Sequence, residues 1–448
     1  MTCRTPLWTI PLAALAAAAG MLLASAIPAQ AQAQTPTQTP AQTPAQTPAQ
    51  TRLRVFSGGA NQRPDLMRQL FDQYQQQHPG IRIDIETGGA TSELQRQYLS
   101  TVLNAKDASI DLYMIDIVNP AQYFGAGWLE PLNAYIGEPA VALKPYLPVY
   151  ATSNVVAGKV AAMPAFADAM FMYYRKDLLA KHGVAEPRTW DELAAAARKI
   201  QRAEAVAGNA NLQGLSIQGA PIEGAVCTFL LPYWGQGKDF NDTAGRLTLD
   251  KPAAVKGLQQ WLTMVDNGVI KKNLAEIKTS DTVNEFKAGQ VVFALNWTWA
   301  WDRFKEDKDS TVAGKVGVMP VPAMAGGKSA TCVGGWQWAM SAFSRHKPEA
   351  ANLLKFLVTP AASRFLAAEG ALLPTYPALY TDAEVLKMVP WFKDAAAVVQ
   401  AGRSRPMSRD YGQVSDVIRT TTSAVLARTK TPAQGVDEIE NRLRRVMR

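Results

Sequence analysis

Between Leu53 and Ile85 the chain changes its hydrophobic period twice, and this constrains the fold more than any other feature of the sequence. Leu53-Arg54-Val55-Phe56 alternates apolar and polar, as a half-buried strand does, and runs into Ser57-Gly58-Gly59. After Pro64, Met67, Leu70, Phe71 and Tyr74 recur at helical spacing, and His78-Pro79-Gly80 stops the pattern. Ile81, Ile83 and Ile85 then alternate with Arg82, Asp84 and Glu86. A strand–helix–strand unit of this length packs its helix on the sheet, so the spacing predicts α/β layers around a largely parallel sheet.

The same grammar recurs downstream. A helical stretch leads to a strand over residues 110–117. Thr189 and Glu192 are spaced as a capping box, in which the hydroxyl takes the N–H three residues on and the carboxylate reaches back. A helix is expected from about Ser280 to Ala288-Gly289, strands over 291–295 and 316–321, and a helix over 348–357. The apolar run 170–174 reads as the start of a helix, and Pro320 and Pro322 read as a crossover between domains. At 448 residues the chain exceeds what one hydrophobic core usually serves, so two domains are expected.

The first 51 residues stand apart. Arg4, an Ala/Leu-rich apolar stretch and the small-x-small sites Ala29-Gln30-Ala31 and Ala31-Gln32-Ala33 read as a signal peptide over 1–33 rather than a membrane anchor. Residues 34–51 repeat Thr-Pro-Ala-Gln, a composition that cannot repay its ordering entropy, and read as a linker. Export to the periplasm would permit a disulfide between Cys227 and Cys332, but spacing leaves that bridge open.

Several chemistries lack their residues. The sequence has no G-x-x-x-x-G-K-[ST], H-E-x-x-H, C-x-x-C or G-x-S-x-G. Only three His occur, His78, His182 and His346, each at a helix end or in a charged turn, so neither a catalytic triad nor a metal or cofactor site is indicated. The formal net charge of +8 is scattered apart from Arg442, Arg444 and Arg445, which reads as a solvated surface rather than a nucleic-acid face.

Against those 3 His stand 11 Trp and 13 Tyr, many at strand ends, where ligands sit in open α/β sheets. Asp116 lies near the end of the strand 110–117, and Asp168 follows Pro164-Ala165-Phe166-Ala167. Trp297, Trp299 and Trp301 come directly after the strand 291–295, Trp336 and Trp338 follow Gly334-Gly335, and Tyr233-Trp234-Gly235 closes another apolar stretch. Indole rings pack on the C–H face of a sugar while carboxylates and Arg hold its hydroxyls, so this set points to carbohydrate. Two other readings use similar parts: a glycoside hydrolase with paired carboxylates, and a receptor for an anionic solute such as a glycerol phosphodiester.

The chain resembles the family 1 extracellular solute-binding proteins, in particular the trehalose/maltose-type receptors of ABC importers, over roughly residues 52 to 445. The resemblance rests on Asp111-Leu112-Tyr113-Met114-Ile115-Asp116, Gly127-Trp128-Leu129-Glu130-Pro131-Leu132, Tyr173-Tyr174-Arg175-Lys176-Asp177-Leu178, Phe286-Lys287-Ala288-Gly289, Asn296-Trp297, Gly334-Gly335-Trp336 and Ser404-Arg405-Pro406. It implies an α/β, two-lobed periplasmic-binding-protein fold of type II, with a multi-strand hinge and a cleft between the lobes. Residues 52–163 and 323–370 would form lobe one, and 164–322 with 371–448 lobe two. The implied ligand set is Asp116, Asn119, Phe166, Asp168, Tyr233, Trp234, Trp297, Trp299, Gly335, Trp336 and Arg405. The implied partners are a small sugar and the permease subunits of an ABC transporter, served by a monomer with no catalytic residue and no cofactor. Asn61-Gln62-Arg63 and Val118-Asn119-Pro120 depart from the family's usual acidic and aromatic residues, which leaves the identity of the sugar open.

Overall fold

The computed structural model describes residues 50–446 apart from 241, 243–245 and 401. The expected signal peptide and all but the end of the expected linker lie outside the described residues.

The opening unit forms as its periodicity requires. Strand β1 (Thr51–Gly58) pairs in parallel with β2 (Ile81–Thr87) across the helix Pro64–Gln77, which buries Leu66, Met67, Leu70, Phe71 and Tyr74. The helix Ser92–Asn104 leads to β3 (Leu112–Asp116), parallel to β1. A small hairpin, β4 (Val155–Val156) and β5 (Lys159–Val160), precedes the long strand β6 (Met163–Arg175). Then come β7 (Gln213–Ser216), β8 (Val291–Trp297), β9 (Val316–Met319), β10 (Thr331–Met340) and β11 (Gly402–Ser404).

The main sheet runs in the order β2-β1-β3-β10-β6-β8-β7, with β11 on β10 and β9 on β6. It is mixed rather than largely parallel: β10 runs antiparallel to both β3 and β6, and β6 antiparallel to β8 and β9. Strand β6 belongs to both halves of the molecule. Its first residues pair with β10, from Val333↔Ala169 to Trp338↔Met163, and its last with β8 and β9, from Met170 to Arg175. The run 170–174 is therefore strand, not helix. A central strand covered on both faces needs no alternation, and Met-Phe-Met-Tyr-Tyr carries none that would separate the two conformations.

Pleating divides the first half's core between the two sheet faces. Leu53, Val55, Leu112 and Met114 face a cluster that includes Trp336 and Trp338, while Phe56, Tyr113 and Ile115 face a second cluster with Leu99, Tyr123 and Trp128. The second half gathers the largest cluster around β7, β8 and the helices Trp190–Val206, Glu223–Trp234 and Lys251–Asp266. At the first of these helices Thr189 caps the N–H of Glu192 at 3.2 Å, while the Glu192 carboxylate reaches one residue further back, to the N–H of Arg188 at 2.7 Å. Cys227 and Cys332 form a disulfide that ties the helix Glu223–Trp234 to β10 across a separation of 105 residues.

Candidate functional site

The two halves meet where β10 changes neighbours. Trp336 stands opposite Asp116 of β3 and Phe166 of β6, and Gly334 stands opposite Asp168. The buried Tyr150 pins this crossing: its phenol donates to the Gly334 carbonyl at 2.7 Å and accepts the Asp168 N–H at 3.2 Å. Gly335 sits at φ +114°, where a Cβ would lie 2.6 Å from the Phe166 carbonyl oxygen. The backbone itself thus requires glycine there. At Gly334 a Cβ would meet Cζ3 of Trp297 at 2.8 Å, so the indole approaches bare backbone there.

A cavity of about 360 Å³ opens at this seam, lined by Asn61, Ser92, Glu93 and Asp116 with Trp336 from the first half. The second half contributes Asp168, Glu223, Lys278, Thr279, Trp297, Trp299 and Arg405. Two wider grooves, of about 560 and 570 Å³, are lined by charged surface side chains with no aromatic ring. Indole side chains beside convergent polar groups make the seam the candidate ligand site, whatever the volumes.

Buried ion pairs organise its floor. Arg405 donates through Nη2 to Asp116 Oδ1 at 2.6 Å and through Nη1 to Glu223 Oε1 at 2.7 Å. Its guanidinium carbon lies 5.8 Å from the Trp297 ring centre, a cation–π contact. Asp116 Oδ2 accepts from Ser92 Oγ at 2.9 Å. Glu223 also accepts from the Tyr411 phenol and, at 2.6 Å, from Ser415 Oγ. Burial pushes the Glu223 carboxyl up, but Arg405, Arg96 and these hydroxyls outweigh it and hold the group below the usual carboxylate range. Glu93, on the helix Ser92–Asn104, accepts the backbone N–H of Glu223, a contact across the seam onto the start of another helix.

Asp168 is different. Its Oδ1 accepts from the N–H groups of Ala169 and Thr298, both at 2.9 Å, and from the Thr298 hydroxyl. Those donors favour the charged form, yet burial dominates and pushes the carboxyl up to about 7, with Asp116 adding in the same direction.

Seven of the eleven residues expected at the site therefore line one cavity: Asp116, Asp168, Trp297, Trp299, Gly335, Trp336 and Arg405. Four stand elsewhere. Asn119 is buried at the start of the helix Pro120–Gly125, with its N–H on the Asp116 carbonyl at 2.9 Å. Phe166 packs into the first half's core beside Trp336, its partner across the sheet. Tyr233 and Trp234 end the helix whose start, Glu223, lines the cavity; ten residues of helical rise put them about 15 Å away along its axis. There the Tyr233 phenol donates to the Asp239 carbonyl at 3.0 Å and accepts the Asp250 N–H at 2.9 Å. Of the other clustered indoles, Trp338 is core and Trp301 packs on Trp391. Glu93 and Glu223 were not anticipated. Glu223 had a signal in the sequence, as the one charge in a helix that buries all twelve of its residues. Among the described residues no group of His, Cys, Asp and Glu could hold a metal ion.

A mixed sheet shared by two halves through a long strand, with an aromatic and carboxylate cavity at the seam, defines a two-lobed solute-binding fold. The chain belongs to the bacterial extracellular solute-binding protein family, whose pattern matches residues 60–364. It is 35% identical over 350 residues to a probable ABC transporter-binding protein of Deinococcus radiodurans, covering 77% of this chain and 81% of that one. A mannitol-binding protein of Pseudomonas aeruginosa is 32% identical over 139 residues, 30% of this chain and 31% of the other. The structure of maltose-bound MalE3 from T. maritima superposes with a TM-score of 0.81 at 32% identity, covering 88% of this chain and 99% of that one.

Proposed function

We propose that the protein is the solute receptor of an ABC importer, working as a monomer in the periplasm, and that it captures a sugar, a disaccharide such as trehalose or maltose. One observation carries this reading: the indoles of Trp297, Trp299 and Trp336 share a cavity with Asp116, Asp168 and Arg405. Rings take the apolar face of a pyranose and the charged groups take its hydroxyls. The maltose-bound relative and the relative named as an ABC transporter-binding protein support it.

In this mechanism residues 52–163 and 323–370 act as one lobe, and 164–322 with 371–448 as the other. Only the closed arrangement satisfies contacts from both, so ligand shifts the population toward it, and the permease reads the closed form. No bond is made or broken, and the protein is not an enzyme.

A polyol is the second reading. It is favoured by a cavity near the lower end of the ~300–1,000 Å³ common for ligand sites, and by the mannitol-binding relative. Titration calorimetry with trehalose, maltose and mannitol tests both readings. Saturable binding of a neutral sugar or polyol is expected, with a melting temperature that climbs as ligand is added. Failure of all three, together with release of reducing ends from oligosaccharides, would return the molecule to hydrolase chemistry.

A further inference from the structure

Six ionisable side chains line the cavity, and four are acids: Glu93, Asp116, Asp168 and Glu223 against Lys278 and Arg405. Arg405 is already committed, each of its terminal nitrogens donating to a carboxylate. Lys278 is exposed at the rim, where water screens it. Three helices begin at the cavity and bring partial positive charge, but each start already holds an oxygen of the chain itself. Thr91 Oγ1 takes the Leu94 N–H, the Glu93 carboxylate takes the Glu223 N–H, and Asp281 takes the Lys278 N–H. The cationic donors that remain are the rim ammonium of Lys278 and the buried Nε of Arg405, outnumbered by the four carboxyl groups.

Two carboxylate oxygens remain open instead. Oδ2 of Asp168, a residue only 8% exposed, receives no donor among the described residues, whereas Oδ1 receives three. Oε2 of the buried Glu93 is also without a partner. The buried Glu93 oxygen costs free energy until a donor reaches it, while Oδ2 of Asp168 opens to the cavity, where a ligand can supply the donor, and a charged donor suits a carboxylate best.

We infer that this cavity selects an aminated sugar over its neutral and phosphorylated counterparts, with the ligand ammonium seated on the open Oδ2 of Asp168. This rests on the sugar-receptor reading and deepens it. The titratable groups around Asp168 are Asp116, Glu93, Glu223, Arg405 and Lys278, which share its cavity, and the phenols of Tyr150 and Tyr173; none of the cations donates to Oδ2. Burial raises the Asp168 carboxyl to about 7, so seating an ammonium there expels a proton and the amine binds better as pH rises through that value.

The test compares three ligands on whichever skeleton binds, trehalose, maltose or mannitol: the neutral compound, its 6-amino-6-deoxy form (1-amino-1-deoxy for mannitol) and its phosphate monoester. Calorimetry at pH 8 is expected to give the amine about tenfold tighter binding than the neutral compound, equal to one charge-assisted hydrogen bond replacing a neutral one, and no binding of the phosphate. At pH 5.5 the advantage should shrink below about threefold, because the carboxyl is then protonated. In Asp168→Asn, which keeps the Oδ1 acceptor, the ratio of the two affinities should fall to about one. A neutral ligand that binds as well as or better than its amine at pH 8, or a phosphate that outbinds both, overturns the inference and leaves the receptor reading standing. Failure of every neutral and aminated compound overturns the receptor reading itself.

Discussion

Arg405 donates to Asp116 across 289 positions of sequence, at 2.6 Å, with its side chain 1% exposed and that of Asp116 8% exposed. A guanidinium this deep is stable only because Asp116 and Glu223 take its charge. Replacing Arg405 with Ala should therefore destabilise the protein by about 3–5 kcal/mol, the range for breaking a buried pair. Urea unfolding measures this directly. A loss under about 1 kcal/mol would mean that water reaches the two carboxylates.

Trp336 and Trp338 are two residues apart on β10, yet they answer to different demands. Trp336 borders the cavity and Trp338 lies wholly in the core. Trp336→Ala is expected to weaken ligand binding by about 1–3 kcal/mol. Trp338→Ala should cost about 3–5 kcal/mol of stability, as large-to-small core changes do. Calorimetry and denaturation on the pair would show an exchange of these effects if the assignment were reversed.

Gly334 offers a test of the wall without touching any lining side chain's chemistry. A methyl there meets the Trp297 indole at 2.8 Å and forces the ring off its seat. Gly334→Ala should lower affinity about tenfold. Tryptophan fluorescence of the ligand-free variant should shift as the indole moves, and an unchanged spectrum with unchanged affinity would contradict the packing.

The disulfide Cys227–Cys332 closes a long loop between a helix and the strand that carries the site. Reduction, or Cys227→Ser with Cys332→Ser, should cost about 2–5 kcal/mol, read as a fall in melting temperature. Identical melting curves with and without reductant would show that the bridge does not form.

Asp168 sets a pH dependence of opposite sense to the ordinary carboxylate. Its folded-state value, about 7, lies above the unfolded 3.8, so between those values the folded state holds the proton more tightly and stability falls as pH rises. Between pH 5 and 8 this one group should remove roughly 2–3 kcal/mol. Glu223 works the other way: its value is lowered, so its contribution is present above the unfolded value of 4.5 and is lost on acidification below it. Urea midpoints of wild type and Asp168→Asn at pH 5 and 8 separate the two. Parallel pH slopes in both proteins would rule out the raised value at Asp168.

Much of the fold was legible in local order. The alternations at Leu53 and Ile81 became β1 and β2, the helical spacing after Pro64 became Pro64–Gln77, and Thr189 capped its helix. These patterns are set by neighbours a few residues apart, because a strand repeats every two residues and a helix every 3.6. Where a segment was apolar throughout, as at 170–174, neither period was present and the strand was invisible until its partners β8 and β9 were in place.

The residue types of the site were legible too, but not its membership. Local pattern alone put indoles and carboxylates at strand ends, since those positions let a side chain leave the core. It took the folded chain to bring Trp297, Trp299 and Trp336 to one opening with Glu223 and Glu93, and to leave Trp338, Tyr233 and Trp234 as packing. The reason is one of range. Periodicity records which face of an element is buried, whereas a cavity is formed by contacts between elements hundreds of residues apart, such as Asp116 with Arg405, which no local pattern encodes.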